Sequence, residues 1–295
     1  MTDRVPAGPT GPESGPHGHD PVRAALASVD GWGAGFAAAT AIGPAGTLAT
    51  HGDTRRVVRV ASITKLATAW AVLLAVEEGA VALSDPAGPP GSTVAHLLCH
   101  AGGWDFDTDR VLAPPGTRRI YSNTGYDALA AHVEAATGMP FADYLAEGVL
   151  APLGMASTEL RGSPAKDLHS NVDDLVALMA EMRSPTVLDA ATAAAARSVQ
   201  MPGLAGVLPG WGRQDPCDWG YGPELRGTKS PHWSGATAEA GTFGHFGGAG
   251  TLLWVDPSTG IGCVALSDRE FGEWSVRAWP AFSDGVRAAA LATLA

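Results

Sequence analysis

Ser62-Ile63-Thr64-Lys65 is the stretch in which residue types and spacing most directly suggest chemistry. Side chains three apart share one face of a helix, so an amine one turn above a hydroxyl can act on it as a base. The first N–H groups of a helix are unpaired and partly positive, which suits an oxyanion forming beside Ser62. A Ser-x-x-Lys spacing also arises by chance in a chain this long, so its weight depends on the motifs further along the chain. Downstream, Tyr121-Ser122-Asn123 offers a phenol and an amide, and Gly244-His245-Phe246-Gly247-Gly248 offers an imidazole ahead of paired glycines. Phenol and imidazole handle protons, and an amide both donates and accepts. Each also has a plain alternative: Tyr121 as a helix-start aromatic, Asn123 as a helix cap, His245 as a satisfied strand histidine. Trp104, Trp219, Tyr221 and Trp233 are candidate cleft-lining aromatics, with core packing the alternative. His96 and His100 have i, i+4 spacing but lack the intervening Glu of a zinc-binding helix, so no metal is expected.

Composition bounds the setting for these groups. A chain of 295 residues is long enough to bury about 75% of its unfolded surface. With 19 basic against 30 acidic side chains, the net charge is -11, which argues against nucleic-acid or anionic-membrane partners. Met1-Thr2-Asp3-Arg4 leads into Pro and Gly rather than an apolar segment, and the longest mainly apolar run, residues 66–76, is too short to span a bilayer. The expectation is a cytoplasmic protein with reduced thiols at Cys99, Cys217 and Cys263.

The elements that must position the chemistry follow from periodicity. Residues 1–20, rich in Pro, Gly and His, read as a disordered tail. A short helix over 21–29 and paired strands over 33–42 and 46–50 come next, with a third strand over 57–61 running into Ser62. Helical spacing marks 66–78, 93–100, 126–137, 141–149, 172–182 and 189–199, with no strand pattern interrupting the later block. Strands return over 219–225, 243–255 and 261–267, the last two joined by the turn Asp256-Pro257-Ser258-Thr259-Gly260, and a closing helix runs over 282–294, after Pro280. The order predicts an α/β lobe from 21–61 and 200–295, split in sequence by a mainly helical lobe over 62–199, with the site at the junction.

Taken with the helix end Leu97-Leu98-Cys99-His100-Ala101-Gly102-Gly103, these ordered motifs resemble the serine β-lactamase superfamily. Within it the chain is most similar to the branch of class C β-lactamases, D-alanyl-D-alanine carboxypeptidases and family VIII carboxylesterases. The segments from Tyr121 to Met155 and around Trp254-Val255-Asp256-Pro257 look especially like that branch. The resemblance implies an antiparallel sheet flanked by the N- and C-terminal helices, an inserted all-α lobe, and no cofactor. It implies Ser62 as the acylated nucleophile, with Lys65 and Tyr121 sharing general-base work, the choice between them left open. Asn123 would bind Lys65 and the substrate, and the N–H groups of Ser62 and Gly248 would form the oxyanion hole, a role favouring a small residue at 248.

The third motif departs from the Lys-Thr-Gly of class C enzymes, with His245 in place of the Lys and Phe246 in place of the Thr. A substrate carboxylate set against Phe246 would lose charge-assisted hydrogen bonds, about 1.5–3 kcal/mol each. The expectation is therefore a serine hydrolase acting on a small molecule, with short-chain esters preferred over β-lactams or peptides, unless Arg226 or Lys229 supplies the missing anchor. Because the connection from Trp104 to Tyr121 is short, an open site is expected. A β-lactamase or carboxypeptidase, and a non-catalytic binding member of the fold, are the alternatives. Oligomeric state is not legible.

Overall fold

A computed structural model describes residues 20–295. The expected tail lies outside the described residues except for Asp20, whose carboxylate accepts from the Val22 and Arg23 N–H groups and caps the first helix. In chain order the elements are α1 (Pro21–Leu26), β1 (Ala37–Gly43), β2 (Gly46–His51), β3 (Val58–Arg59), α2 (Thr64–Glu77), α3 (Val94–Leu98), α4 (Asn123–Thr137) and α5 (Phe141–Leu145). Then follow β4 (Glu159–Leu160), β5 (Leu168–Ser170), α6 (Val172–Arg183), α7 (Ala190–Ala196), β6 (Gly206–Leu208) and β7 (Gly212–Gln214). The chain closes with β8 (Glu224–Leu225), β9 (Phe243–Gly247), β10 (Thr251–Asp256), β11 (Ile261–Ser267) and α8 (Glu273–Leu294).

The main sheet is antiparallel, in the order β2-β1-β11-β10-β9-β8. Its central strands read as unbroken apolar runs because both faces are covered. Alternate residues of β10 diverge: Leu253 and Val255 join the core under α2 and α6, while Leu252 and Trp254 join the one under α8. No helix among the described residues is long and apolar enough to cross a membrane.

Several elements differ from the sequence expectations. The segment 243–255 is a hairpin rather than one strand, reversing through Gly248-Ala249-Gly250, where Gly250 has φ +81°. The 219–225 strand shrinks to β8, with Trp219 forming only an isolated bridge to Glu224. The helical block is interrupted by β4 and β5, which pair with β3 in a small sheet of their own and tie that block to the chain entering Ser62. Strands of two or three residues are too short to show a period. The closing helix begins at Glu273 and runs through Pro280. An internal Pro costs about 3 kcal/mol, but the turn before it buries Trp279 against Trp211, Phe246 and Phe271.

Candidate active site

Ser62 lies in a 3-10 turn, Ala61–Ile63, immediately before α2 rather than in the helix proper. Ala61 turns the chain there with φ 47°, a conformation unfavourable for a residue with a Cβ. Neighbours hold it in place: the Val60 carbonyl accepts from Thr251 Oγ1 at 2.9 Å, and the Ala61 carbonyl accepts from Thr64 Oγ1 at 2.5 Å. The glycine this turn requires is Gly247. A Cβ there would sit 2.3 Å from both Thr251 Oγ1 and the Val60 carbonyl oxygen, whereas a Cβ at Gly248 would meet nothing within 4 Å. The steric reason for a small residue therefore belongs to 247, not 248. Gly247→Ala is expected to destabilise the fold by about 1–3 kcal/mol through overpacking; a melting temperature equal to wild type would refute the contact.

Lys65, at the start of α2, is fully buried, and its Nζ donates to Asn123 Oδ1 at 2.6 Å and to the Ala165 carbonyl at 2.9 Å. Burial holds its pKa well below the ordinary lysine value, against the raising fields of Asp127 and Asp107. Asn123 opens α4, and its Nδ2 donates to Asp107 Oδ1 at 2.7 Å. The sequence expectation has this amide serving both Lys65 and the substrate; in the structure its nitrogen is turned to Asp107.

Tyr121 precedes α4, with its ring centroid 4.6 Å from Lys65 Nζ. Enclosure by protein pushes its phenol above the ordinary value, with the Ser62 hydroxyl opposing, so the neutral phenol is the resting form. Its Oη is 3.4 Å from His245 Nε2. His245 Nδ1 lies 2.6 Å from the Phe246 carbonyl, which only accepts, so Nδ1 carries the proton and Nε2 is left as acceptor for the phenol. Burial, reinforced by the Lys65 charge, lowers the His245 pKa to about 4, and the ring is neutral at pH 7.

Ser62 opens into a cavity of about 180 Å³ lined by Phe106, Tyr121, Leu208, Pro209, Trp219, His245, Phe246, Gly248 and Phe271. Phe246 packs against Trp211 and Phe271 with ring centroids 5.3 Å away in each case. Of the candidate pocket aromatics, Trp219 and Phe246 line this cavity. Trp104 does not: it bridges to Val111 and packs on the helical core. Tyr221 is half-buried between the two cores. Ser62 is half-buried, and from residues 104–120 Phe106 lines its cavity, stacked on Tyr121 at 5.8 Å. The remaining wall comes from the β6–β7 hairpin and Phe271, neither of which had a sequence signal of function.

Neither candidate carboxylate anchor reaches the cavity. Lys229 is fully buried against Glu224, and Arg226 turns a guanidinium N–H onto the Gly227 carbonyl. His100 stacks on Tyr121 with centroids 4.4 Å apart and accepts from the Ser122 N–H, a structural role at the end of α3. A larger cleft of about 790 Å³ between α4 and α5 lies away from Ser62 and holds no nucleophile with a base.

Comparison with known proteins places the chain by family and fold. A solved β-lactamase structure from Mycobacterium bovis is 50% identical, with a TM-score of 0.88 over 90% of this chain and 98% of that one. EstCE1, a hydrolase with promiscuous acyltransferase activity, shares the fold with a TM-score of 0.74 at 18% identity, over 90% of this chain and 97% of that one. D-alanyl-D-alanine-carboxypeptidase/endopeptidase AmpH of Escherichia coli (strain K12) is 30% identical over 145 residues, which is 37% of this chain and 38% of that protein's length. The β-lactamase family model matches residues 29–284, and the chain belongs to that family of β-lactamase-fold hydrolases.

Proposed function

We propose that the protein is a serine hydrolase that cleaves small uncharged esters through an acyl-enzyme on Ser62. The observation that carries this reading is the cavity itself: Ser62, Tyr121 and His245 meet there, and every other lining residue is apolar or glycine. Lys65, whose ammonium form burial disfavours, takes the Ser62 proton as the oxygen attacks the ester carbonyl. Backbone N–H groups of Ser62 and Gly248 stabilise the oxyanion. As the tetrahedral intermediate collapses, the Tyr121 hydroxyl gives its proton to the leaving alkoxide and is reprotonated by the Lys65 ammonium. Water then attacks the acyl-enzyme by the same steps in reverse, releasing the acid and restoring Ser62. His245, neutral and accepting from the phenol, keeps Tyr121 oriented. Lys65 is favoured over Tyr121 as the base because its environment favours the neutral amine while that of the phenol disfavours phenolate.

The peptidase alternative is favoured by the partial match to AmpH, and one panel separates the two. We expect kcat/KM for p-nitrophenyl acetate or butyrate to exceed that for nitrocefin and for a D-Ala-D-Ala peptide. Faster turnover of nitrocefin or the peptide would reject the ester reading. Tyr121→Phe is expected to reduce turnover on the order of 10²-fold with an unchanged melting temperature; an unchanged rate would return Tyr121 to packing.

A further inference from the structure

Asn123 presents its oxygen, not its nitrogen, to Lys65, and nothing in an amide's shape requires that choice, since the two ends are nearly isosteric. The choice matters because a neutral lysine amine has two N–H donors and one lone pair. Asn123 Oδ1 and the Ala165 carbonyl take both donors, so the lone pair is left for the side on which the Tyr121 ring lies, and the Tyr121 phenol is in turn partnered by the Ser62 hydroxyl. A flipped amide would aim N–H groups at Nζ and occupy that lone pair, removing the base without removing the lysine.

The group that forbids the flip is Asp107. Its Oδ1 receives Asn123 Nδ2 at 2.7 Å, and a flipped amide would set oxygen against carboxylate oxygen at that distance. Asp107 is itself held in place. It sits in a loop closed by the Asp105–Arg110 ion pair at 2.6 Å and pinned to the start of α4, where the Phe106 carbonyl accepts from the Asn123 N–H at 2.7 Å and the Asp105 carbonyl from Ser122 Oγ at 2.7 Å. Lys166 Nζ approaches the same Oδ1 at 3.5 Å from the opposite wall.

We propose that Asp107 is a positioning residue, fixing the Asn123 amide so that the Lys65 lone pair stays free for the Ser62 proton. The inference rests on the acyl-enzyme reading above. Around Lys65 the charged or titratable groups are Asp107 from the loop, Asp127 and Tyr126 from α4, Lys166 from the 161–167 turn, Tyr121, His100 beyond α3, and His245 from β9. Asp107 therefore adds charge as well as orientation, and two variants separate these effects. Asp107→Asn keeps an amide oxygen that both Lys166 and Asn123 Nδ2 attract, preserving the orientation while deleting the charge. Asp107→Leu removes both.

The test measures p-nitrophenyl butyrate hydrolysis by the full chain, with kcat, KM, the pH–rate profile and the melting temperature for each variant. Asp107→Leu is expected to lower kcat about 10–100-fold with little change in KM, as loss of an orienting partner does elsewhere. Asp107→Asn is expected to keep kcat within about threefold while the acidic limb moves to lower pH, because the field that favours the Lys65 ammonium is gone. Wild-type kcat and pH profile in Asp107→Leu would overturn the proposal, as would equal losses in both variants, which would assign the effect to charge alone. A loss confined to KM and melting temperature would overturn it too, by making Asp107 a loop anchor only. Ser62→Ala run in parallel keeps the two ideas apart: turnover surviving in that variant rejects the acyl-enzyme reading, whereas a dead Ser62→Ala beside a wild-type-like Asp107→Leu rejects this inference alone.

Discussion

Ser62→Ala is expected to eliminate ester turnover, a loss on the order of 10⁶-fold in kcat by analogy with nucleophile removal in other serine hydrolases, while leaving the melting temperature almost unchanged. Stability should be spared because the hydroxyl caps nothing: neither the 3-10 turn nor α2 has a side-chain hydrogen bond at its N-cap. Lys65→Arg should lose about 10²–10⁴-fold, since a guanidinium stays protonated and offers no lone pair. That variant is also expected to destabilise, because Lys65 is fully buried and a bulkier permanent charge must take its place. Steady-state kinetics with p-nitrophenyl butyrate and a thermal melt check both. Lys65→Arg retaining wild-type kcat would remove Lys65 as the base.

The largest expected effect on stability lies one strand from the site. Glu224 on β8 is fully buried and opposite Gly244 in register, beside His245. Its Oε1 lies 3.1 Å from Lys229 Nζ and 2.9 Å from His232 Nε2, and its Oε2 accepts from Trp233 Nε1 at 2.8 Å. Lys229 also donates to the Asp218 carbonyl at 2.7 Å and to that of Leu225. Removing one member leaves the other charge buried and unpaired, so Glu224→Ala or Lys229→Met should each cost about 3–5 kcal/mol in urea unfolding. The double variant should lose less than the sum of the two; strict additivity would show that the pair is not coupled.

The same cluster sets an acid limit. Burial alone would raise the Glu224 pKa, but Lys229 and His232 outweigh it and bring the value down from 4.5 to about 2. A depressed carboxylate stabilises the fold fully above its unfolded pKa, so this contribution is intact above about pH 4.5 and fades as pH falls towards 2.

The candidate motifs are legible in sequence because each packs chemistry into a few consecutive residues; the fold sets Ser62, Tyr121 and His245 on one cavity, with Lys65 and Asn123 buried beside Tyr121. The β10–β11 hairpin is legible because Asp256-Pro257-Ser258-Thr259-Gly260 specifies its own turn. Features held together only by tertiary contact escape a linear reading. Glu224, Lys229 and His232 have no spacing that marks an ion-pair cluster, and Asp107 is one charge among several in a polar loop. The steric need for glycine at 247 rather than 248 is invisible along the chain because it comes from Val60 and Thr251, neither of which marks it in sequence. Pro280 marks a helix boundary that aromatic packing around Trp279 overrides.

Turnover by this route requires a covalent bond at Ser62, and intact-mass analysis with peptide mapping reads it directly. After incubation with a fluorophosphonate, the folded protein should gain one adduct, mapped to the peptide containing Ser62, with ester turnover lost in proportion and no adduct on Ser62→Ala. Ester turnover that persists in the fully labelled protein, or no adduct at Ser62 in a preparation that still hydrolyses the ester, would contradict it.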